Sequence, residues 1–188
     1  MVVYRRNFVA GGTYFFTVTL RDRRARFLVD YVDELHAAFA QSRARKPFVI
    51  EAMVVLPDHL HTIWRLPDHD TDYPGRWKSI KSLFTQSLAR NGLDVGKRRD
   101  GSASIWQRRY WEHTIRDEQD WQHHIDYIHF NPVKHGWVHR ARDWPFSSFH
   151  RYVRRGILPL DWAGDGIEDW SLKATDKLGC PHSPRSSD

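Results

Sequence analysis

Hydrophobic positions along the chain change period several times, and each change marks an element. After Gly11-Gly12 the run TYFFTVTL alternates Phe16, Val18 and Leu20 against Phe15, Thr17 and Thr19, the period of two of a strand with two working faces. From about Asp30 the period lengthens. Val32, Leu35, Ala38 and Phe39 recur at helical spacing as far as about Arg45, with Asp30 placed as a cap and Pro47 as a stop. FVIEAMVVL reads as a second strand, nearly continuous in apolar residues, and Pro57-Asp58 as a turn. HLHTIWRL is a third strand, ended by Pro67.

The polar stretch PDHDTDYPG is expected to be a loop, followed by a helix over Trp77 to Ala89 with Ile80, Leu83, Phe84 and Leu88 on one side. RNGLDVGKRRDGSAS has too little apolar content to pack and reads as an exposed loop. IWQRRYWEHTI predicts a fourth strand, and a third helix starts near Glu118. The order β-α-β-β-α-β with one further helix matches an α+β ferredoxin-like sandwich, an antiparallel sheet with helices on one face. In that topology the first and third strands are the central pair. The chain shows no internal repeat, and its 188 residues suit one domain with a tail.

The third strand breaks its own pattern, because VVLPDHLHTIW places His59 and His61 inside an apolar run. Residues i and i+2 of a strand share a face with Cα atoms roughly 6–7 Å apart, so two imidazoles there can converge on one ion. The spacing equally admits two rings bonded to neighbouring backbone or facing solvent. On the third helix, Asp120, His124, Tyr127 and Asn131 form a polar stripe beside an apolar one of Trp121, Ile125 and Ile128. Tyr127 and Asn131 are therefore neighbours at i and i+4. Taken singly, Tyr127 is also compatible with a boundary aromatic, and Asn131, before Pro132, with a cap on a following turn.

Charge and cysteine content narrow the setting. Lys and Arg number 29 against 23 acidic residues, a formal charge of +6 and a pI near 9.6, which favours an anionic partner. Cys180 is the one cysteine, so neither a disulfide framework nor a cysteine-based zinc site can be built within one chain. No apolar run approaches the roughly 20 residues that cross a bilayer, and there is no signal-peptide pattern, so a soluble, cytoplasmic protein is expected.

The stretches LPDHLHTIW, WQRRYWEHTIRDEQDWQHHIDYIHFNPVKHGWV and DWPFSSFHRY closely resemble the REP-associated tyrosine transposases, a branch of the single-tyrosine HUH nucleases. The resemblance covers about Tyr4 to Tyr152, and three separated motifs fall in the right order. It implies a catalytic domain over residues 1–152, with 153–188 as a C-terminal extension. It implies Tyr127 as the catalytic tyrosine, His59 and His61 as metal ligands, and Asn131, one helical turn after the tyrosine, as the third ligand. The implied cofactor is Mg²⁺ or Mn²⁺; imidazole favours a transition ion, and Mn²⁺ satisfies both arguments. The implied reaction is cleavage and transfer of single-stranded DNA hairpins, the repetitive extragenic palindromes of bacterial chromosomes, through a 5′-phosphotyrosine. A nucleoid-associated location follows.

Expected DNA contacts are Arg5 and Arg6, Arg108 and Arg109 on the fourth strand, and Lys134 after the catalytic helix, with Trp106, Tyr110 and Trp111 able to stack on unpaired bases. Of those three aromatics, one or two are expected to point inward. Phe146, Phe149 and Tyr152 are expected to pack the extension onto the domain, and Ser147 and Ser148 to cap a helix there. A hairpin-binding module without cleavage and a hydrolase using activated water are the competing readings. The family includes both monomers and dimers that exchange the tyrosine helix.

Overall fold

A computed structural model describes residues 6–96 and 105–164. Four antiparallel strands, β1 (Thr13–Thr19), β2 (Val49–Val55), β3 (His59–Arg65) and β4 (Trp111–Thr114), form one sheet in the order β2-β3-β1-β4. The central pair is β1 and β3, as the topology requires, with Thr17 opposite His61 and Phe15 opposite Ile63. Helices α1 (Phe27–Asp30), α2 (Val32–Arg45), α3 (Tyr73–Arg90), α4 (Glu118–Lys134) and α5 (Phe149–Arg154) complete the architecture.

Alternation on the central strands sends two residue sets to opposite faces. Phe16 and Trp64 meet Trp77 of α3, with Trp64 and Trp77 stacked at 4.2 Å, and Phe39 of α2 closes on both tryptophans. Phe15 and His61 project the other way, onto Tyr127 of α4. The α2–α3 layer covers one face, and α4 lies on the other.

Several boundaries differ from expectation. The first helical stretch is broken at Tyr31 into a single turn and α2; Asp30 caps nothing, being paired 3.6 Å from Arg26 inside the first turn. The end at Arg45 holds, because Lys46 before Pro47 is forced into an extended conformation. Helix α3 starts four residues before Trp77. Asp72 caps it by accepting from Gly75 N at 2.8 Å, Pro74 occupies the first turn, where its missing N–H costs nothing, and a Cβ on Gly75 would collide with the capping carboxylate. Pro-Gly here is a helix start rather than a turn.

The fourth strand is also shorter than its sequence suggests. Trp106 makes an isolated bridge to Leu20, in which Gln107 N donates to Thr19 O at 3.0 Å; pairing then lapses over the exposed Arg108 and Arg109, and the ladder resumes at Trp111. Arg108 and Arg109 therefore lie on a segment off the sheet edge, not on a strand. At the opposite edge, the segment before α5 pairs with β2: Val55 N donates to Phe146 O and Ser148 N to Met53 O. Ser147 Oγ accepts from Phe149 N at the start of α5, whereas Ser148 Oγ accepts from Met53 N and contacts His129 Nε2 at 2.9 Å, tying β2 to α4. Phe149 and Tyr152 are buried, as expected of a packed extension. Arg5, residues 97–104 of the long loop and residues from 165 onward lie outside the described residues.

Candidate active site

Strand β3 carries His59 and His61 onto the α4 face with ring centroids 5.0 Å apart, and both are buried. Each ring is held through Nδ1. His59 Nδ1 lies 2.7 Å from Asp58 Oδ1, and because an ionised carboxylate only accepts, Nδ1 is the donor of this pair. His61 Nδ1 lies 2.9 Å from Thr17 Oγ1, on the neighbouring central strand. Its Nε2 is buried with no hydrogen-bond partner among the described residues.

The surroundings disfavour the charged form of His61. Burial pushes the His61 pKa well below its ordinary value, and the nearby His59, His135, Lys134 and Arg23 reinforce that direction. Burial raises the Asp58 carboxyl, but the hydrogen bond and charge of His59 and the charge of Arg23 outweigh it and leave Asp58 below the usual carboxylate range. Arg23 Nε is 2.7 Å from Asp58 Oδ2. Sequence reasoning missed Asp58, Arg23 and Thr17 as partners of the histidines. Asp58 was readable as the residue before His59, whereas Arg23 and Thr17 come from other segments.

Helix α4 is started by Asp117, whose side chain accepts from Asp120 N at 2.8 Å, and is docked through Ile125 and Ile128. This orientation brings the Tyr127 ring to 5.1 Å from that of His61. Asn131 lies one turn further along, fully buried, with neither Oδ1 nor Nδ2 hydrogen-bonded among the described residues. It does not cap a following turn: the helix runs through Pro132 to Lys134. An amide buried without partners is costly unless something else uses it.

The remaining candidates divide. Lys134 Nζ sits 4.9 Å from the centre of the Tyr127 ring, beside the candidate nucleophile rather than on a remote surface. His135, beyond it, brings its ring to 5.3 Å from that of His59; it stands in the quoted NPVKHGWV stretch but had not been singled out. Arg6 lies over the Tyr110 ring at 4.7 Å and 3.8 Å from Glu112. With Arg108, Lys81, Trp106 and Tyr110 it lines a groove of about 570 Å³ beside α3, away from the histidines. Trp106 is buried, while Tyr110 and Trp111 are partly exposed. Arg109 is exposed.

Comparison with known proteins places this geometry. Residues 9–131 match the family model described as "Transposase IS200 like". The REP-associated tyrosine transposase of Escherichia coli K12 is 48% identical over 171 residues, covering 91% of this chain and 96% of that protein. A Haemophilus influenzae relative is 46% identical over 164 residues, covering 86% of this chain and 93% of that protein. A solved structure of a REP-associated tyrosine transposase bound to a REP hairpin superposes with a TM-score of 0.78 at 49% identity, covering 87% of this chain and 92% of that chain. The chain belongs to the IS200-like transposase family, in its REP-associated tyrosine transposase branch. It is an enzyme of that class, and none of its described helices is long and apolar enough to cross a membrane.

Proposed function

We propose that the chain cleaves and rejoins single-stranded REP-type DNA hairpins with Tyr127 as nucleophile and His59, His61 and Asn131 as ligands of a divalent cation. The observation that carries this reading is the set of buried, unpartnered polar atoms beside the tyrosine: His61 Nε2 and both side-chain atoms of Asn131. Together with His59 Nε2, they make a two-imidazole, one-amide donor set that fits Mn²⁺ or Mg²⁺. A cation held there would polarise a non-bridging phosphate oxygen. Asp58 and Thr17 act behind it, orienting the two rings through Nδ1.

The phenolic oxygen of Tyr127 attacks the phosphorus, the bond from phosphorus to the 3′ oxygen breaks, and a 5′-phosphotyrosine and a 3′-hydroxyl result. A second 3′-hydroxyl reverses the step and joins new strands, so bond energy is conserved and no nucleotide cofactor is consumed. Free tyrosine has a pKa near 10 and is a weak nucleophile at neutral pH. Lys134, with its ammonium over the ring, favours the phenolate. Lys134 thus serves the nucleophile as well as the phosphate backbone.

The hairpin-bound relative supports the substrate. Arg5, Arg6, Arg108 and Arg109 are proposed to contact DNA, so affinity should fall steeply between about 50 and 200 mM salt through counterion release. The catalytic domain is taken as residues 1–152, a boundary that falls within α5, and a cytoplasmic, nucleoid-associated location follows from the substrate. The test is incubation with end-labelled hairpin DNA and Mn²⁺, resolved on a denaturing gel. A protein–DNA adduct supports the proposal. An uncut hairpin would mean a binding module, and free ends without adduct a hydrolase.

A further inference from the structure

A second cluster of ligating side chains lies on the same face of the sheet, across the Phe15 ring from the Tyr127 site. The Phe15 centroid is 5.5 Å from that of His61 and 4.7 Å from that of His124. His113 of β4 and His124 of α4 stack there at 4.8 Å with an interplanar angle of 17°, and both address Asp120. His113 Nε2 is 2.8 Å from Asp120 Oδ2, and His124 Nδ1 is 3.2 Å from Asp120 Oδ1. One ligand atom from each of the three residues lies within 4.8 Å of the other two.

Hydrogen bonding accounts for part of this arrangement. Asp120 Oδ2 also accepts from Arg116 N and Nε at 3.0 and 3.3 Å, and His124 Nδ1 donates to the Asp120 carbonyl at 2.7 Å. A carboxylate already served by Arg116 needs neither histidine, however, and the buried His124 leaves Nε2 without a partner among the described residues. Two imidazoles and one carboxylate, converging from a strand and from positions i and i+4 of a helix, form a donor set suited to a tetrahedral borderline ion.

We propose that His113, Asp120 and His124 bind a transition ion of the Zn²⁺ class, at a site separate from His59 and His61, and that the ion clamps the N-terminal turn of α4 to the edge strand β4. The clamp fixes the helix whose next turn carries Tyr127, so its occupancy tunes how firmly the nucleophile is held against the histidine pair. His124 Nδ1 keeps its hydrogen bond to the Asp120 carbonyl, which fixes the tautomer and leaves Nε2 as the ring atom offered to the ion. The proposal stands whether or not Tyr127 is the nucleophile.

The test is titration of the metal-free full chain with Co²⁺, reading the visible absorption of tetrahedral cobalt, in wild type, in the double variant His59→Ala with His61→Ala, and in His113→Gln and Asp120→Asn. The band should persist in the double variant and weaken at least tenfold in apparent affinity in the other two. Circular dichroism checks that each variant is folded; if the Gln variant is not, Asp120→Asn carries the comparison. Loss of the band in the double variant, its survival in both His113→Gln and Asp120→Asn, or its absence from wild type would each overturn the proposal.

Discussion

Leu60, Thr62 and Trp64 alternate along β3 with His59, His61 and Ile63, so one seven-residue strand builds two unlike surfaces. The face toward α2 and α3 is filled with interlocking aromatic rings, Phe16, Phe39, Trp64, Tyr73 and Trp77. The buried Arg76 of this face is met by both oxygens of Asp70 and by the carbonyls of Lys46, Pro47 and Asp72, and the buried Glu112 accepts from Tyr73. Among the described residues this face also leaves the indole N–H groups of Trp64 and Trp77 without partners, whereas the face toward α4 leaves His61 Nε2 and the Asn131 amide, which carry atoms able to ligate a cation. On the proposed function, the difference separates stability from chemistry within a single sheet: packing holds the backbone rigid, and that rigidity lets the opposite face hold polar atoms in place for a ligand.

Substitutions should expose this division. Trp64→Ala opens a large cavity in the packed face and should cost about 3–5 kcal/mol, seen as a large fall in denaturant midpoint. His61→Ala removes a ring of which one nitrogen is unpartnered and should cost less than about 1.5 kcal/mol, yet abolish cleavage while hairpin binding survives. If the two variants were equally destabilised, the two faces would not be doing different work.

Acid should act through the α4 side. His129, buried between α4 and α5, has its pKa lowered to about 3, by burial first and then by the Arg151 charge. In the window from about 6.5 down to about 3 the unfolded chain binds a proton that the folded chain refuses, so this contribution to stability is present near neutrality and is lost as pH falls. The loss should amount to about a few kcal/mol. A His129→Gln variant should show a shallower decline in melting temperature between those pH values, and an unchanged decline would remove His129 from the account.

Asn131→Leu, which keeps the branched outline with the same number of heavy atoms, should leave the metal-free protein about as stable as wild type, because the extra bulk of two methyl groups is offset by removing two buried polar atoms that have no partner among the described residues. Cleavage should nonetheless vanish. A clear destabilisation measured by calorimetry would mean that the amide makes bonds in the folded state and is not held in reserve. The smallest effect is expected of Lys134→Met, which removes a charge from above the Tyr127 ring: single-turnover cleavage should slow, with its alkaline rise displaced to higher pH. Lys134→Arg should restore the profile, whereas a role in DNA binding alone would change affinity and leave the profile in place.

Much of the fold was legible because the period changes from two to helical spacing and back, and because Pro47 and Pro67 end elements sharply. What failed was local. PDHDTDYPG looked like a loop since Pro-Gly marks turns, although the same pair opens a helix when an aspartate two residues before the proline caps it. IWQRRYWEHTI looked like one strand because its alternation continues through residues that the sheet edge does not pair. In the site, His59, His61, Tyr127 and Asn131 were readable from spacing within single elements and from the family motifs. Thr17 and Arg23 were not, since their roles depend on strand register and loop placement. His135 was within view but unremarkable until α4 had a docked orientation.

The central claim is that Tyr127, held beside His61, forms the covalent link to DNA. The most direct measurement is peptide mapping by mass spectrometry of the protein after reaction with a REP-type hairpin and Mn²⁺, for wild type and for Tyr127→Phe. Wild type should carry a 5′-phosphonucleotide on Tyr127, and the Phe variant, folded and still binding the hairpin, should carry none and transfer no strand. An adduct on Tyr110 or another tyrosine, or continued cutting by the Phe variant to give free 5′ ends, would contradict it.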